Sequence, residues 1–313
     1  MTENQLSRWG AIAKNLPLMN PIAKVFLLAN TSATYFGALQ NEFPPDHDGY
    51  VRVESSLQAV LDNAGLQASR GDVVLALPGF AETLTATKSL SIAGVHWLGI
   101  GEGALTPTIT VNVADHGIAL TGANSTFENW RFAAPGTDAA LSMVRIAAVG
   151  CKVKNVTGIG SDDANNFVHC ITIKAGANDH TLENIKLSCG AVAVTAFLNF
   201  EGPVSRSNIG GFFAIGSVAT GGIIDATGAY IENANWDNLR VCVGGSAKPA
   251  VIIDATGGSG GKGFVTNSRL AGTHTTLASN AQFVGDYRLS QVYVGEDTNN
   301  ASQGALIPAA DTD

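Results

Sequence analysis

An asparagine recurs at a nearly constant spacing through the central part of this chain. Each copy lies in a similar short frame, in which an apolar residue, a polar residue and the asparagine are usually followed by a second apolar residue. The six residues are Asn129, Asn155, Asn184, Asn208, Asn238 and Asn267, at intervals of 26, 29, 24, 30 and 29 residues, and a further interval of 24 reaches Gln291. A repeat of this length predicts a solenoid of stacked units, each too small to bury its own apolar face.

The frame itself predicts a strand, a one-residue bend at the asparagine and a second strand. By the period-two rule of strands, the residue two before the asparagine and the residue after it face inward, while the residue between them points to solvent. The inward set is Phe127, Val153, Leu182, Trp236 and Val265 before the bend, and Trp130, Val156, Ile185, Ile209 and Leu239 after it. Arg206 and Ser268 break this set. Stacked at one bend of successive coils, the asparagine amides are expected to bond each other and the turn backbone as a structural ladder.

Further strands lie upstream of the bends and decide the type of solenoid. The segments GIALTG, VRIAAVG, ITIKAGA, IIDATGA and VIIDATGG are short apolar runs that close on glycine. No helical period of 10–15 residues separates them, which argues against leucine-rich and α-helical solenoids. The pattern predicts an all-β chain folded as a single-stranded parallel β-helix of about eight to ten coils.

Composition agrees with this fold and excludes some functions. The chain has 313 residues, of which 45% are hydrophobic and 14% charged, and its formal net charge is −8. An acidic balance disfavours broad binding to nucleic acid. No stretch has the length and apolarity of a membrane span, and Met1–Arg8 lacks the pattern of a secretory signal peptide.

Four segments follow from these patterns. Residues 1–50 are predicted to form an N-terminal anchoring arm, and residues 51–70 a capping strand and a helix that begins near Ser55 or Ser56. Residues 71–295 are predicted to form the β-helix, followed by a polar tail at 296–313. The prolines at positions 17 and 21 keep the arm extended. Its partner-binding side chains are expected to be Trp9, Ile12, Leu16, Leu18, Ile22 and Phe26.

The cap and first coils resemble a known group of proteins. The segment RGDVVLALPGFAETLTATKSLSIAGVHWLGIGEG resembles the opening of pectate-lyase-like right-handed β-helices. Together with the preceding GYVRVESSLQAVLDNAG, it is similar to virion structural proteins of tailed bacteriophages built on that fold. The resemblance implies a right-handed β-helix. It does not imply an activity, because this fold carries lyases, hydrolases, adhesins and inert structural proteins.

Catalysis on such a scaffold requires paired carboxylates or an acidic calcium cluster with a nearby base. The candidate residues are Asp46, His47, Asp48, Asp162, Asp163, His169, Glu201, Asp225 and Asp254. None lies in a recognisable lyase or glycosidase motif, and their turn contexts favour local backbone bonding or solvation. Cys151, Cys170, Cys189 and Cys242 lack paired metal spacing and are expected to act as small apolar side chains. We therefore expect no catalytic residue, no metal and no cofactor.

Charged residues flank the ladder in rows. Glu128, Lys154, Glu183 and Asp237 precede the bend by one, and Arg131, Lys186, Arg240 and Arg269 follow it by two. On coils about 4.8 Å apart they form acidic and basic rows, either as a solvated face or as a contact with a partner subunit.

Taken with the resemblance, these features lead us to expect a non-enzymatic structural protein of a bacteriophage virion, most specifically a head decoration or cement protein. Its expected partners are the major capsid protein, other virion proteins and copies of itself, plausibly as a trimer. Its expected location is the virion, assembled in the host cytoplasm. The alternative is a tailspike-like polysaccharide depolymerase or a carbohydrate-binding adhesin, whose partner is a host surface glycan. Trp130 and Trp236 are not expected to serve as sugar platforms, because the frame turns both inward.

Overall fold

The computed structural model describes residues 23–133, 140–160, 167–190, 192–225, 229–253, 261–274, 277–296 and 305–307. The chain is nearly all-β and forms a right-handed parallel β-helix of about nine turns, which confirms the predicted fold. Within the described residues, no helix is long and apolar enough to cross a membrane.

The strands and helices are short and follow one another through tight corners. The strands are β1 (Val25–Leu28), β2 (Val53–Glu54), β3 (Val73–Ala76), β4 (Ala81–Leu84), β5 (Lys88–Leu90), β6 (His96–Gly99), β7 (Thr108–Val111), β8 (His116–Leu120), β9 (Thr126–Glu128), β10 (Arg131–Ala133), β11 (Ser142–Ile146), β12 (Lys152–Lys154), β13 (Thr157–Ile159), β14 (His169–Ile173), β15 (Thr181–Ser188), β16 (Ala196–Phe200), β17 (Val204–Ser205), β18 (Asn208–Ser217), β19 (Ile223–Asp225), β20 (Ile231–Asp237), β21 (Arg240–Gly244), β22 (Val251–Ile253), β23 (Gly261–Thr266), β24 (Arg269–Gly272), β25 (Ala281–Phe283), β26 (Gly285–Ser290), β27 (Val292–Glu296) and β28 (Ala305–Ile307). The helices are α1 (Phe36–Glu42), α2 (Leu57–Leu61) and α3 (Leu277–Asn280), with a 3-10 turn at Gly103–Leu105.

The coils build three lengthwise faces. Face one is the eight-stranded parallel sheet β5-β8-β11-β14-β16-β19-β22-β25. Face two runs through β3, β6, β9, β12, the first half of β15 and of β18, β20, β23 and β26. Face three runs through β4, β7, β10, β13, the second half of β15 and of β18, β21, β24 and β27. From β9 to β27, faces two and three meet at a one-residue bend, so these coils present the same corner to their neighbours.

The core is a continuous column of apolar side chains enclosed by the three faces. Every residue of the inward set is at most 2% exposed, as the period-two rule predicted. Aromatic rings stack within and between coils: Phe127 lies on Trp130 of the same coil with centroids 5.0 Å apart, and Phe200 lies on Trp236 of the next coil at 5.9 Å. Because each coil shares its core with the next, no single coil is expected to fold alone.

The N-terminal boundary of the β-helix lies earlier than the sequence suggested. Strand β1 pairs in parallel with both β2 and β3, so it extends face two before Gly71. Phe26, expected on a partner-binding arm, is 1% exposed and belongs to the main core. The expectation of an arm over residues 1–50 is therefore wrong for residues 23–50. The alternate apolar side chains of β1 pack into two core clusters. Burying them against the sheet edge is more favourable in free energy than leaving them in water.

The capping helix lies where the sequence placed it. The side chain of Ser56 accepts a hydrogen bond from the backbone N–H of Ala59 at 3.1 Å, which makes it the N-cap. Leu57 and Val60 are fully buried in the main core and close the open end of the first coil. At the other end, β28 pairs antiparallel with β27, so part of the predicted polar tail covers the last coil of face three.

Candidate functional site

The corner between faces two and three is built from residues in the left-handed backbone region. Asn129, Asn155, Asn184, Asn238 and Asn267 have φ between 50° and 61°, and Gln291 has φ 55°. Asparagine tolerates this conformation better than most side chains because its short amide bonds locally. The recurrent asparagine is therefore explained first by the shape of the bend.

Asn208 does not occupy this corner, and the prediction is wrong at that one position. In the register of β15 with β18, Glu183 pairs with Gly210 and Ile185 with Phe212, which places Gly211 beside Asn184. Gly211 has φ 65°, the conformation that the asparagines adopt elsewhere. The frame around Asn208 resembled the others by chance, since its apolar residue two positions before the bend is replaced by Arg206.

The amides at the corner bond mainly to the preceding coil. Asn184 donates from Nδ2 to Oδ1 of Asn155 at 2.7 Å, a direct amide-to-amide rung. Asn155 donates to Oε1 of Glu128 at 3.2 Å, and Asn267 to Oδ1 of Asp237 at 2.8 Å. The acidic residue before the bend thus serves as a ladder partner. Hydrogen bonds from Thr266 and Asn267 hold the pKa of Asp237 below its ordinary value.

A second left-handed corner, leading into face two, escaped the sequence analysis. It is formed by Ser69, Gly94, Asn124, Gly150, Asp179, Arg206 and Asn233. The N–H of Asn124 donates to Val149 O at 2.9 Å, and that of Asp179 to Ser205 O at 3.0 Å, so each corner bonds the next coil. The sequence signal for this corner was the recurrence of Gly, Asn and Asp at intervals close to those of the ladder. The repeat was missed because the residue type varies from coil to coil.

Inside this second corner lies a buried polar stack. His180 donates from Nδ1 to the carbonyl of Ala177 at 2.7 Å and contacts Ser207 Oγ through Nε2 at 2.9 Å. The indole N–H of Trp236 donates to the same hydroxyl at 3.1 Å. Because a carbonyl only accepts, Nδ1 carries the proton, and the imidazole is neutral with both nitrogens bonded. Burial lowers the pKa of His180 to about 4.

A second histidine–serine contact lies at the start of face one. His116 Nδ1 is 2.7 Å from Ser142 Oγ, and His116 Nε2 is 3.7 Å from Asp115 Oδ1. The three residue types are those of a nucleophilic triad. Ser142 is fully buried, however, and Asp115 Oδ1 already accepts the backbone N–H of His116 at 2.8 Å. This arrangement bonds neighbouring coils and does not present a nucleophile to a substrate.

The remaining catalytic candidates are dispersed. Glu201 pairs with Arg145 at 2.6 Å. Burial lowers the pKa of His169 to about 4. Asp162, Asp163 and Asp254 lie outside the described residues, and Asp225 ends β19 on face one.

The other candidates form local contacts. Oδ1 of Asp46 accepts the N–H of Asp48 and of Tyr50, each at 3.0 Å, which is the predicted turn. Lys24 lies between the carboxylates of Asp46 and Asp48, at 2.5 and 3.1 Å, and His47 Nε2 is 3.1 Å from Asp48. Across the described ranges, no group of three or more His, Cys, Asp or Glu side chains is placed to hold a metal ion.

The partner-binding residues Trp9, Ile12, Leu16, Leu18 and Ile22 lie outside the described residues, and only Phe26 of that set is seen, in the core. Cys151, Cys170 and Cys189 are buried as predicted, whereas Cys242 is exposed on face three.

The most distinctive surface is the outer side of face three. One row across the coils contains Lys186, Phe213, Arg240, Arg269 and Tyr293 in register, and we call it the basic-apolar stripe. Phe213 is 45% and Tyr293 47% exposed. Ile159 and Ile215 lie two residues further along the same face and are also exposed. Within the described part of the chain, none of the three cations of the stripe forms an ion pair, so the stripe offers positive charge together with apolar surface.

No protein-family model, curated protein or solved structure matches this chain.

Proposed function

We propose that the chain is a non-enzymatic structural protein of a bacteriophage virion, most specifically a head decoration or cement protein that projects as a rigid rod. Support comes from the resemblance of the cap and first coils to phage virion proteins and from the β-helix that follows them. The single observation that carries the assembly role is the basic-apolar stripe. Soluble monomers seldom leave aromatic and aliphatic side chains aligned in one exposed row, and such rows are typical of contacts between subunits.

The rod is built for rigidity. Its coils share one core, and each parallel strand of the three faces bonds its neighbours along the axis. The serine–histidine contacts that could suggest hydrolysis lie inside that core, at Ser142 and Ser207, both fully buried. Their positions favour a role in holding coils together and support the non-enzymatic proposal.

The occupant that best fits the stripe is a second copy of the chain. Across the ladder corner, face two carries the row Glu128, Lys154, Glu183 and Asp237, which is acidic on balance although Lys154 pairs with Glu183 at 2.6 Å. Face three carries Lys186, Arg240 and Arg269. Face two of one copy is therefore complementary in charge to face three of another. Contact between two different faces is heterologous, and a three-fold ring closes it without leaving a free edge. We accordingly propose a homotrimer.

Oligomeric state tests the stripe. Phe213→Glu places a carboxylate at its centre and should convert the trimer to a monomer in sedimentation velocity experiments. Leu105→Glu is the matched control, because Leu105 is 58% exposed but lies in the 3-10 turn, outside the basic-apolar stripe. A wild-type chain that sediments as a monomer at high micromolar concentration would remove the trimer from the proposal.

Particle incorporation tests the virion role. The chain should co-purify with intact particles and appear as projections in their electron density maps. A variant that lacks residues 1–22 and keeps the circular dichroism spectrum of the full chain should be absent from particles if these residues form the anchor. Absence of the full-length chain from purified particles, or release of reducing ends from host polysaccharide by the purified protein, would overturn the proposed function.

A further inference from the structure

Two cysteines of the core lie against each other inside the rod. The sulfur of Cys170 is 3.6 Å from the sulfur of Cys189, and the two side chains are 1% and 6% exposed. Cys170 lies in β14 at the start of face one, and Cys189 directly follows β15 at the end of face three. The chain passes through faces two and three between them, so a bond between the two sulfurs would close this turn of the rod.

Backbone hydrogen bonds hold both cysteines in position. The N–H of Cys189 donates to the carbonyl of Ile215 at 2.9 Å, and the strand that carries Cys170 pairs with β11 on one side and β16 on the other. A disulfide has an S–S distance of about 2.05 Å, so each sulfur has to move by less than about 1 Å. Rotation about the two Cα–Cβ bonds moves the sulfurs and leaves the backbone hydrogen bonds in place.

The two thiols differ in how readily they react. Cys170 donates its thiol proton to the sulfur of Cys189, and this hydrogen bond lowers the pKa of Cys189 below its ordinary value. Cys189 is also the more exposed of the two. Because the thiolate is the form that attacks an oxidant, Cys189 reacts first. Cys151 differs, since burial raises its pKa and its thiol donates to the carbonyl of Gly122 at 3.3 Å.

We propose that Cys170 and Cys189 are an oxidisable pair that forms a disulfide when the folded protein meets hydrogen peroxide. The Cys189 thiolate attacks one oxygen of the peroxide, the O–O bond breaks, and a sulfenic acid and hydroxide form. The Cys170 sulfur then attacks the Cys189 sulfur, so that the S–S bond forms and the S–O bond breaks. The departing hydroxide takes the Cys170 proton and leaves as water. Two electrons pass from the sulfurs to the peroxide, and the two thiol protons end in two water molecules.

The disulfide would act as a clamp on the rod. Coils of a solenoid contact only their neighbours, so the rod can open one coil at a time. A covalent bond that closes one turn restricts the unfolded chain and opposes this opening. A reducing cytoplasm keeps both thiols free, and the bond forms after the protein reaches an oxidising medium. The site lies inside the core, away from the surfaces that the proposed trimer and particle contacts use.

Thiol counting on the full-length chain tests this bond. Cys242→Ser serves as the parent protein, because the exposed Cys242 could otherwise link two copies. The folded parent is treated with hydrogen peroxide, unfolded in denaturant and alkylated with iodoacetamide. The count should fall from three thiols before treatment to one after it, and dithiothreitol should restore all three. Peptide mass spectrometry should find Cys170 joined to Cys189, and the oxidised protein should melt at a higher temperature than the reduced protein.

Two further variants of the parent are the matched controls. Cys151→Ser keeps both partners and should still form the bond. Cys170→Ser removes one partner, so it should form no bond and should leave a Cys189 sulfenic acid that dimedone traps. Three thiols still open to alkylation in the treated parent would overturn the proposal, as would a loss that dithiothreitol does not reverse or a bond that includes Cys151. Equal melting temperatures of the oxidised and reduced parent would overturn the clamp.

Discussion

Asn184 donates a hydrogen bond from its Nδ2 to Oδ1 of Asn155 on the preceding coil, at 2.7 Å. Both residues have φ 52°, so the bond joins two identical bends. The corner thereby combines a backbone conformation that few side chains tolerate with an amide that bonds along the rod axis. Substitutions at this corner can separate the contribution of backbone conformation to stability from that of the hydrogen bond.

Asn184→Leu should lower the free energy of unfolding by about 1–3 kcal/mol, because leucine is strained in the left-handed region and cannot bond Asn155. Asn184→Gly should cost less, since glycine adopts the bend without strain. Asn208→Leu is the control: Asn208 lies in the same sequence frame but in extended backbone, and its substitution should change stability by about 0.5 kcal/mol or less. Urea denaturation of the three variants measures this. Equal losses at positions 184 and 208 would contradict the corner assignment.

Gly211→Asn should stabilise the fold by about 0.5–1 kcal/mol, because asparagine tolerates φ 65° and restricts the unfolded chain more than glycine does. A Cβ at this position meets only Asn184 atoms at 3.6 Å, an ordinary contact. Gly263→Asn is the contrasting variant and should be strongly destabilising, since its Cβ would collide with Ala234. Thermal unfolding compares the two. A lower melting temperature for Gly211→Asn would show that the corner requires glycine there.

Stability should fall as the pH is lowered from about 6.5 to about 4. The pKa of His180 is about 4 in the folded state and near its ordinary value of about 6.5 in the unfolded chain. Between these values the unfolded chain binds more protons, so the free energy of unfolding decreases as the pH falls and levels off below the folded pKa. For His180 alone the loss is about 3 kcal/mol, and His169 acts in the same direction.

Urea midpoints measured across that range provide the test. His180→Gln should flatten the pH profile. A profile that is already flat in the wild-type protein between pH 4 and 7 would contradict the neutral, buried assignment of these imidazoles.

Phe26→Ala should destabilise the protein by about 3–5 kcal/mol, because the ring is fully packed in the core of the first coil and its removal leaves a cavity. Leu105→Ala serves as the control, since its side chain is mostly exposed and its loss should cost about 0.5 kcal/mol or less. Chemical denaturation of both variants decides whether residues near position 26 belong to the β-helix or to a detachable arm. Similar stabilities would favour the arm.

Much of this architecture was accessible from the sequence. The interval of the asparagine frame predicted stacked coils, and the period of two within each frame predicted every inward residue from Phe127 to Val265, because burial on a strand depends on residue parity alone. The two serines before Leu57, Ser55 and Ser56, predicted the start of α2 for a similarly local reason, since a helix N-terminus needs an acceptor for its free N–H groups.

Other features of the structure depend on which strands pair between coils, and local sequence does not predict them. Only the register of neighbouring strands shows that Gly211, and not Asn208, occupies the corner. The sequence frame does not show which residue of one coil lies beside the bend of the next coil. The pairing of β1 with β2 and β3 drew Phe26 into the core, a long-range contact that an apolar segment does not reveal by itself. The basic-apolar stripe likewise joins residues about 25 to 30 positions apart, since side chains one coil apart in sequence lie about 4.8 Å apart in space. Local sequence thus determined the shape of each coil, and the stacking of coils decided which surfaces the protein presents.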